Sequence, residues 1–172
     1  MIAKAAVLEK INHPLRVANL QVPKLGPGQV LVDMKWSGLC RSQLMEMQGA
    51  RGPDKYLPHL LGHEGSGIVK DVGASVSKVF PGDPVVITWI KGSGLEGGST
   101  SYLERSNLIN AGPVTTFSSF AVISENRCIP IDKYVPLDVA SLLGCAVPTG
   151  AGIVMNEINL TPSSSIAIWG VG

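Results

Sequence analysis

The segment Leu61-Gly62-His63-Glu64-Gly65-Ser66-Gly67 is the most informative stretch of this 172-residue chain. It places a His-Glu pair between glycines, ahead of a strand-like Ile68-Val69 run. A lone histidine is more often a packed or solvated side chain than a metal ligand. However, two cysteines, Cys40 and Cys145, lie in similar glycine-containing settings far along the chain. Two thiolates and one imidazole are the ligand set of a catalytic zinc that keeps one coordination position open.

Composition and charge are those of an ordinary globular chain. Apolar residues make up 45% and the net charge is +1, without the positive balance of a nucleic-acid-binding protein. No apolar run reaches the roughly 18 residues that a membrane-spanning helix needs, and the segment Met1–Lys10 resembles a first strand more than a signal peptide. Three dispersed cysteines favour a reducing compartment and thiols that act as ligands. We therefore predict a cytoplasmic protein without nucleic-acid or membrane partners.

Short segments of alternating polarity, separated by proline and glycine turns, predict a β-rich domain. A short helix is predicted over residues 42–48, and residues 91–113 show no periodicity and are expected to form a long loop. The predicted strands cover residues 3–10, 15–22, 29–36, 65–72, 84–90, 116–124 and 127–131.

The last part of the chain changes character. Helices are predicted over 136–143 and 149–158, and a short buried-type strand over 165–169 runs into Gly170-Val171-Gly172. Many strands followed by helix, helix and strand predict a barrel-like domain that continues into an α/β unit. A G-x-G after a strand is the opening of the phosphate-binding turn of a dinucleotide-binding fold, although it is weak as a lone motif.

Other candidate side chains have simpler interpretations. Glu64 could be an intermittent fourth ligand or a charge behind the ligands, and its simpler interpretation is a surface carboxylate. Cys128 lies in a strand context, which favours a buried inert thiol. His13 precedes a proline and is expected to be solvated, and His59 is expected to be a packing or surface histidine.

Three segments in the same order together resemble the zinc-dependent, medium-chain alcohol dehydrogenase family. Gly62-His63-Glu64-x-x-Gly67 fits the family's zinc signature, residues 72–85 fit its barrel turn, and residues 143–150 fit the segment that carries the last zinc ligand. The resemblance covers nearly the whole chain. It implies a mainly β fold with some α-helix: a GroES-like catalytic domain over residues 1–148, and the first helix and strand of a Rossmann domain over 149–172.

The resemblance also implies a cofactor, a substrate class and roles for particular residues. Zinc would act as a Lewis acid on an alcohol or carbonyl oxygen, and hydride would pass to or from NAD or NADP. The full-length protein would be a homo-oligomer, and this chain alone is expected to show negligible turnover. The implied residues are the zinc ligands Cys40, His63 and Cys145, the proton acceptor Ser42 with Glu64 as a second catalytic residue, and the cofactor contacts Arg41, Thr149, Gly170 and Gly172.

Three departures from the family pattern are visible. Residues 91–113 lack the four close cysteines of many members, so no structural zinc is expected. Gln43 stands where many members have an aspartate that orients the zinc-bound histidine, and it can hydrogen-bond but brings no charge. Met45 stands where some members have a proton-relaying histidine, so Ser42 would reach solvent through water or the cofactor ribose.

Two alternative functions stay open at this point. One is a zinc-free reductase of the quinone reductase type, which shares the barrel but lacks the metal ligands. The other is a non-catalytic GroES-like binding module. Metal content separates the first alternative from a zinc-dependent enzyme. The substrate pocket is hard to place from sequence, and Trp89, Met45 and Leu57 are its candidate lining residues.

Overall fold

The computed structural model of the chain describes residues 1–158 and 160–170. Within these residues, ten strands form a closed five-stranded barrel and a second five-stranded sheet, so the mainly β prediction is confirmed. The strands are β1 (Ile2–Leu8), β2 (Arg16–Gln21), β3 (Gln29–Ser37), β4 (His59–Leu60), β5 (Gly65–Val72), β6 (Pro84–Ile87), β7 (Thr100–Glu104), β8 (Asn107–Ala111), β9 (Phe120–Ser124) and β10 (Cys128–Pro130).

Strand β3 separates two hydrophobic cores. The barrel has the strand order β1-β2-β7-β8-β4, and the second sheet has the order β10-β6-β5-β3-β9. Because side chains alternate along a strand, Leu31 packs in the barrel core, whereas Val30 and Val32 pack in the second core. The strand ends at Ser37, three residues before Cys40, so both cores hold the segment that leads to this cysteine.

The helices are short. They are α1 (Arg41–Met47), α2 (Leu137–Ala140) and α3 (Ala146–Gly152). Helix α2 contacts strands β3 and β5 of the second sheet. A 3₁₀ turn, Ser141–Gly144, joins α2 to α3, and a π-helical turn, Ile153–Glu157, follows α3. The turn Ser141–Gly144 contacts strands β5 and β6, which places Cys145 over the same sheet as His63.

The segment predicted as a long loop, residues 91–113, contains the hairpin of β7 and β8, so that prediction is wrong. The hairpin closes the barrel, because β7 pairs with β2 and β8 pairs with β4. The alternation of apolar and polar residues is weak in this hairpin, because Tyr102 is the only buried residue of β7. Its turn also holds Arg105 at φ 56°, a left-handed conformation that glycine or asparagine usually signals.

The strand predicted over 165–169 is not formed, so this prediction is also wrong. No strand within residues 1–158 and 160–170 lies beside it, and an isolated strand has no partner for its backbone hydrogen bonds. Gly170 adopts φ 81°. Gly172, the second glycine of the predicted phosphate-binding turn, lies outside the described residues, as do Asn159 and Val171.

The helices of the described residues are also short relative to a lipid bilayer. None of them is by itself long and apolar enough to cross a membrane. Only the bent pair Leu137–Gly144 and Ala146–Glu157, taken together, reaches the required length and composition.

Candidate metal centre

The structure brings together Cys40, His63 and Cys145, which are far apart in sequence. One ligand atom from each residue lies within 4.8 Å of the other two, and all three side chains are partly buried. In a tetrahedral zinc site, with Zn–S near 2.3 Å and Zn–N near 2.0–2.1 Å, neighbouring ligand atoms are roughly 3.5–3.8 Å apart. The three residues therefore fit a zinc ion with small shifts, and two sulfurs with one imidazole form a donor set that suits this metal.

Cys40 is held at the beginning of helix α1. Its backbone is extended, and its N–H donates to Gln43 Oε1 over 3.0 Å, which fixes the first turn of the helix. The Ser42 hydroxyl and then the Ser42 backbone N–H lower the pKa of the Cys40 thiol. Both groups favour the thiolate, which is the form that binds a metal.

His63 follows Gly62, at a position where only glycine fits. Gly62 has φ 93°, and a Cβ there would overlap the hydroxyl oxygen of Thr116. Burial lowers the pKa of His63, which favours the neutral imidazole that a metal needs. The Gln43 side-chain amide contacts His63 Nδ1, so Nε2 is the ring nitrogen left for a ligand role.

The Gln43 contact places a specific constraint on the His63 ring. Because Gln43 Oε1 accepts the Cys40 N–H, its NH₂ group faces His63 Nδ1. An NH₂ group donates, so this arrangement suits a ring whose proton is on Nε2. A metal on Nε2 requires the proton on Nδ1, and the amide must then exchange its oxygen and nitrogen at the expense of the Cys40 bond.

Cys145 lies where the backbone passes very close to strand β6. A Cβ on Gly144 would overlap the carbonyl oxygen of Ile87, and Thr88 Oγ1 donates to the Gly144 carbonyl over 2.6 Å. Burial raises the pKa of the Cys145 thiol, the opposite of the effect at Cys40. Thr149, one helical turn later, brings its hydroxyl to 4.0 Å from the Cys145 sulfur.

Glu64 is not a surface carboxylate, because its side chain is 1% exposed. It lies between the segments that carry the three candidate ligands. Its Oε2 accepts the Ala146 backbone N–H over 3.0 Å, and its backbone carbonyl accepts the Gly38 N–H over 3.2 Å. A Cβ at Gly38 would overlap the Glu64 carboxylate. Glu64 therefore fixes the position of all three segments.

The remaining predicted site residues have different environments. The Ser42 hydroxyl oxygen is buried and, among the described residues, completes no hydrogen bond, although its nearness still favours the Cys40 thiolate. Arg41 and Thr149 are exposed on helices α1 and α3, where a cofactor could reach them. Gly170 is also exposed and contacts none of these groups within the described part of the chain.

Cys128 lies away from the three ligands, in the core of the second sheet. Its side chain is fully buried among Val85, Ile87 and Ile123. Burial raises the pKa of the Cys128 thiol to about 12, which keeps it protonated. This environment agrees with an inert thiol.

A cleft of about 1180 Å³ opens over the three candidate ligands. Trp89 lines it, whereas Met45 and Leu57 are not among its lining residues, so the expectation for these two is wrong.

The cleft is also lined by two residues that the sequence did not suggest, Glu46 and His59. His59 is buried, and its contact with Asp54 across a polar loop has no local sequence signal.

Residues 26–133 match the family model described as the alcohol dehydrogenase GroES-like domain. The match covers well over half of the chain and includes two of the three candidate ligands, Cys40 and His63. The chain therefore belongs to the alcohol dehydrogenase family through this domain.

Individual relatives agree with this assignment. Alcohol dehydrogenase B of Mycobacterium tuberculosis is 32% identical over 197 residues, which cover 100% of this chain and 52% of that protein. The crystal structure of an alcohol dehydrogenase zinc-binding domain protein from Burkholderia ambifaria has a TM-score of 0.78 at 27% identity and covers 91% of this chain and 49% of that one. The chain thus spans about half the length of the relatives that it matches.

A further neighbour concerns the zinc-free alternative. A quinone oxidoreductase of Pseudomonas syringae pv. Tomato has a TM-score of 0.68 at 21% identity and covers 90% of this chain and 41% of that one. At this identity the similarity shows a shared fold alone.

Proposed function

We propose that this chain is the zinc-binding catalytic domain of an alcohol dehydrogenase that uses NAD or NADP. The substrate would be a small alcohol or the corresponding carbonyl compound. One catalytic zinc would be held by Cys40, His63 and Cys145. In this proposal, residues 1–148 form the catalytic domain and residues 149–172 begin the dinucleotide-binding domain.

The observation that carries the proposal is the convergence of three ligand atoms within 4.8 Å at the floor of an open cleft. Three protein ligands leave one position of a tetrahedral zinc for a substrate oxygen. A bound zinc would polarise that oxygen, and the nicotinamide would accept or donate the hydride.

Ser42 has the environment that a proton acceptor for the substrate needs. Its hydroxyl oxygen is buried, lines the cleft and has no hydrogen-bond partner among the described residues. A buried hydroxyl without a partner costs free energy, so a substrate hydroxyl that bonds to it would remove this cost. Glu64 supports the same reaction by holding the ligand segments in place.

The cofactor contacts are proposed from the family resemblance. Arg41 is exposed and ends in a planar guanidinium that can pair with a phosphate in two hydrogen bonds. Thr149 is exposed one turn after Cys145 and would lie near the nicotinamide. Gly170 and Gly172 would begin the phosphate-binding turn. A homo-oligomeric full-length protein in the cytoplasm remains a prediction.

Metal analysis of the 172-residue chain tests the proposal. About one zinc per chain is expected, and Cys40→Ser, His63→Ala and Cys145→Ser should each abolish it. Substitution by Co²⁺ adds a second measurement, because thiolate-to-cobalt absorption bands should disappear in the two cysteine variants.

The matched control is Cys128→Ser, which changes a thiol in the hydrophobic core and should leave the zinc content unchanged. A chain that contains no zinc would support the zinc-free reductase instead. Equal zinc loss in Cys128→Ser and Cys145→Ser would show that the choice of ligands is wrong. Retained function of the whole protein in Cys40→Ser, with capture of a chaperonin, would support the non-catalytic module.

A further inference from the structure

The cleft above the candidate zinc ligands has a second, polar wall. Glu46, Arg51 and His59 line the same cleft as Cys40 and His63. Glu46 lies on helix α1, which begins directly after Cys40, and Arg51 follows four residues after the end of this helix.

His59 is fully occupied by its protein neighbours. Its Nδ1 lies 2.8 Å from the Leu60 carbonyl oxygen, and its Nε2 lies 2.8 Å from Asp54 Oδ2. Both partners are acceptors, so the hydrogen bonding is complete only when both ring nitrogens carry a proton. Both ring nitrogens therefore face protein acceptors, and neither is free to donate to Glu46.

Glu46 is therefore left with unused acceptors. Its nearest basic side chain is His59, whose Nε2 lies 3.9 Å from Glu46 Oε1, and its carboxylate accepts no hydrogen bond within residues 1–158 and 160–170. Its side chain is 31% exposed in the cleft. A half-buried carboxylate without a donor favours a ligand that brings one.

The charges of this wall sum to zero. Glu46 is negative and Arg51 is positive, and both side chains line the cleft. A wall without net charge selects neither a strongly anionic nor a strongly cationic ligand. It instead offers a carboxylate and a guanidinium, planar groups that can accept from and donate to hydroxyls.

Two aromatic rings complete the arrangement. Tyr56 and Trp89 line the cleft, and they are 61% and 52% exposed. Neither ring belongs to a core. Lys55 Nζ lies 5.2 Å from the centre of the Tyr56 ring on one side, which leaves the other face of Tyr56 and the Trp89 ring as apolar surfaces beside polar groups. Such a combination suits a compound that has both C–H faces and several hydroxyls.

We propose that the Glu46, Arg51, Tyr56 and His59 wall binds the distal hydroxyls of a polyhydroxylated substrate, so that the alcohol oxidised at the metal centre belongs to a sugar or polyol. This inference rests on the proposed function and specifies its substrate class. Glu46 accepts from a substrate hydroxyl, Arg51 donates to a second, and Tyr56 contacts the carbon skeleton.

Direct binding tests the proposal without turnover. Hexitols and pentitols, and 1-hexanol for comparison, would be titrated into the zinc-loaded 172-residue chain by calorimetry, with tryptophan fluorescence as a second signal. The polyols should bind at least about tenfold more tightly than 1-hexanol, and Glu46→Leu should remove most of this difference. Glu46→Gln, which keeps one acceptor, should lose less.

Zinc content separates this inference from the proposed function. Glu46→Leu should keep its zinc, and Glu104→Gln, which removes a charge paired with Arg16 and does not line the cleft, should change neither zinc nor polyol binding. In the whole protein, the ratio of kcat/KM for polyols to that for 1-hexanol should fall about tenfold in Glu46→Leu. A zinc-loaded chain that binds 1-hexanol as tightly as polyols, or a Glu46→Leu chain with unchanged polyol affinity, would overturn the inference and leave the zinc site intact.

Discussion

The carboxylate of Glu64 accepts a 3.0 Å hydrogen bond from the backbone N–H of Ala146, so the residue after His63 is bonded to the residue after Cys145. Two candidate ligands from distant parts of the chain are thereby joined through their neighbours. The bond is buried, because Glu64 is 1% exposed. Buried bonds of this kind hold their partners more firmly than exposed ones, since water cannot replace them.

Removing this carboxylate should loosen the metal centre. Glu64→Ala leaves the Ala146 N–H without a partner, which we expect to cost about 1–3 kcal/mol of unfolding free energy and to weaken zinc binding. Glu64→Gln keeps an oxygen acceptor and should be much milder. Urea denaturation and zinc content measure both effects, and equal losses in the two variants would contradict the role of the bond.

The close approach at Gly144 gives a second prediction. Gly144→Ala forces a Cβ into the Ile87 carbonyl oxygen, which belongs to backbone and cannot rotate away. We expect a loss of about 1–3 kcal/mol together with reduced zinc content. Gly150→Ala is the matched control, since no atom lies within 4 Å of a Cβ there, and it should stabilise helix α3 by about 0.5–1 kcal/mol in the thermal melt. Unchanged stability and zinc content in Gly144→Ala would mean that the turn Ser141–Gly144 can move away from Ile87.

Gln43 should limit the affinity for zinc. In Gln43→Glu, one carboxylate oxygen can accept from Cys40 N–H and the other from His63 Nδ1–H, so no bond is lost when Nε2 binds the metal. We expect zinc affinity to rise about tenfold and to fall about 10–100-fold in Gln43→Leu, as measured by competition with a chromophoric chelator. The metal-free Gln43→Glu chain should be less stable, because its new charge is buried.

A matched charge change separates this effect from general electrostatics. Gln48→Glu adds the same charge at the exposed end of helix α1 and should leave zinc affinity nearly unchanged. Equal gains in the two variants would indicate attraction of the ion by charge alone.

The acid sensitivity of the fold should depend on Glu96. Its carboxylate accepts from Ser124 Oγ and pairs with Lys91 and Arg127, which together lower its pKa from 4.5 to about 2. A lowered folded-state pKa contributes stability above pH 4.5, and this contribution is lost as the pH falls towards 2. Glu96→Gln should therefore be less stable than the wild type at pH 7 and nearly equal at pH 2.

Urea denaturation of the wild type and of Glu96→Gln between pH 7 and pH 2 measures how their difference in stability changes with pH. A difference that grows as the pH falls would contradict the assignment. Glu104→Gln is a useful comparison, because the pKa of Glu104 is also lowered, by Arg16, at a separate ion pair on the barrel.

The strands were largely predictable because their side chains alternate between the cores and the surface. β1 and β2 show this pattern, whereas the side chains of β3 alternate between the two cores. The bounds of β3 and β5 agree with the prediction within one residue. The β7–β8 hairpin was not predictable, because it fills the barrel with few side chains and turns at Arg105 without a glycine. The strand expected at 165–169 failed for a different reason: strands require partners, and local sequence does not report their presence.

The candidate metal site was partly predictable. Glycine-flanked cysteines and a His-Glu pair indicate ligand chemistry, and the structure brings Cys40, His63 and Cys145 within reach of one ion. The environment of Glu64 was missed, since nothing local to Glu64 shows that Gly38 and Ala146 enclose it. The Asp54–His59 pair was missed as well, because it depends on how a polar loop folds back.

Strand β3 divides its side chains between two separate interiors, so its length is constrained from both directions. Inserting one residue before Leu31 would turn this leucine away from the barrel and bring its valine neighbours in, and neither interior could absorb the change alone. An insertion would also move Cys40 along the sheet by about 3.3 Å, more than a metal–ligand bond length. The register of β3 thus sets both the packing of the two cores and the position of Cys40 in the candidate metal site.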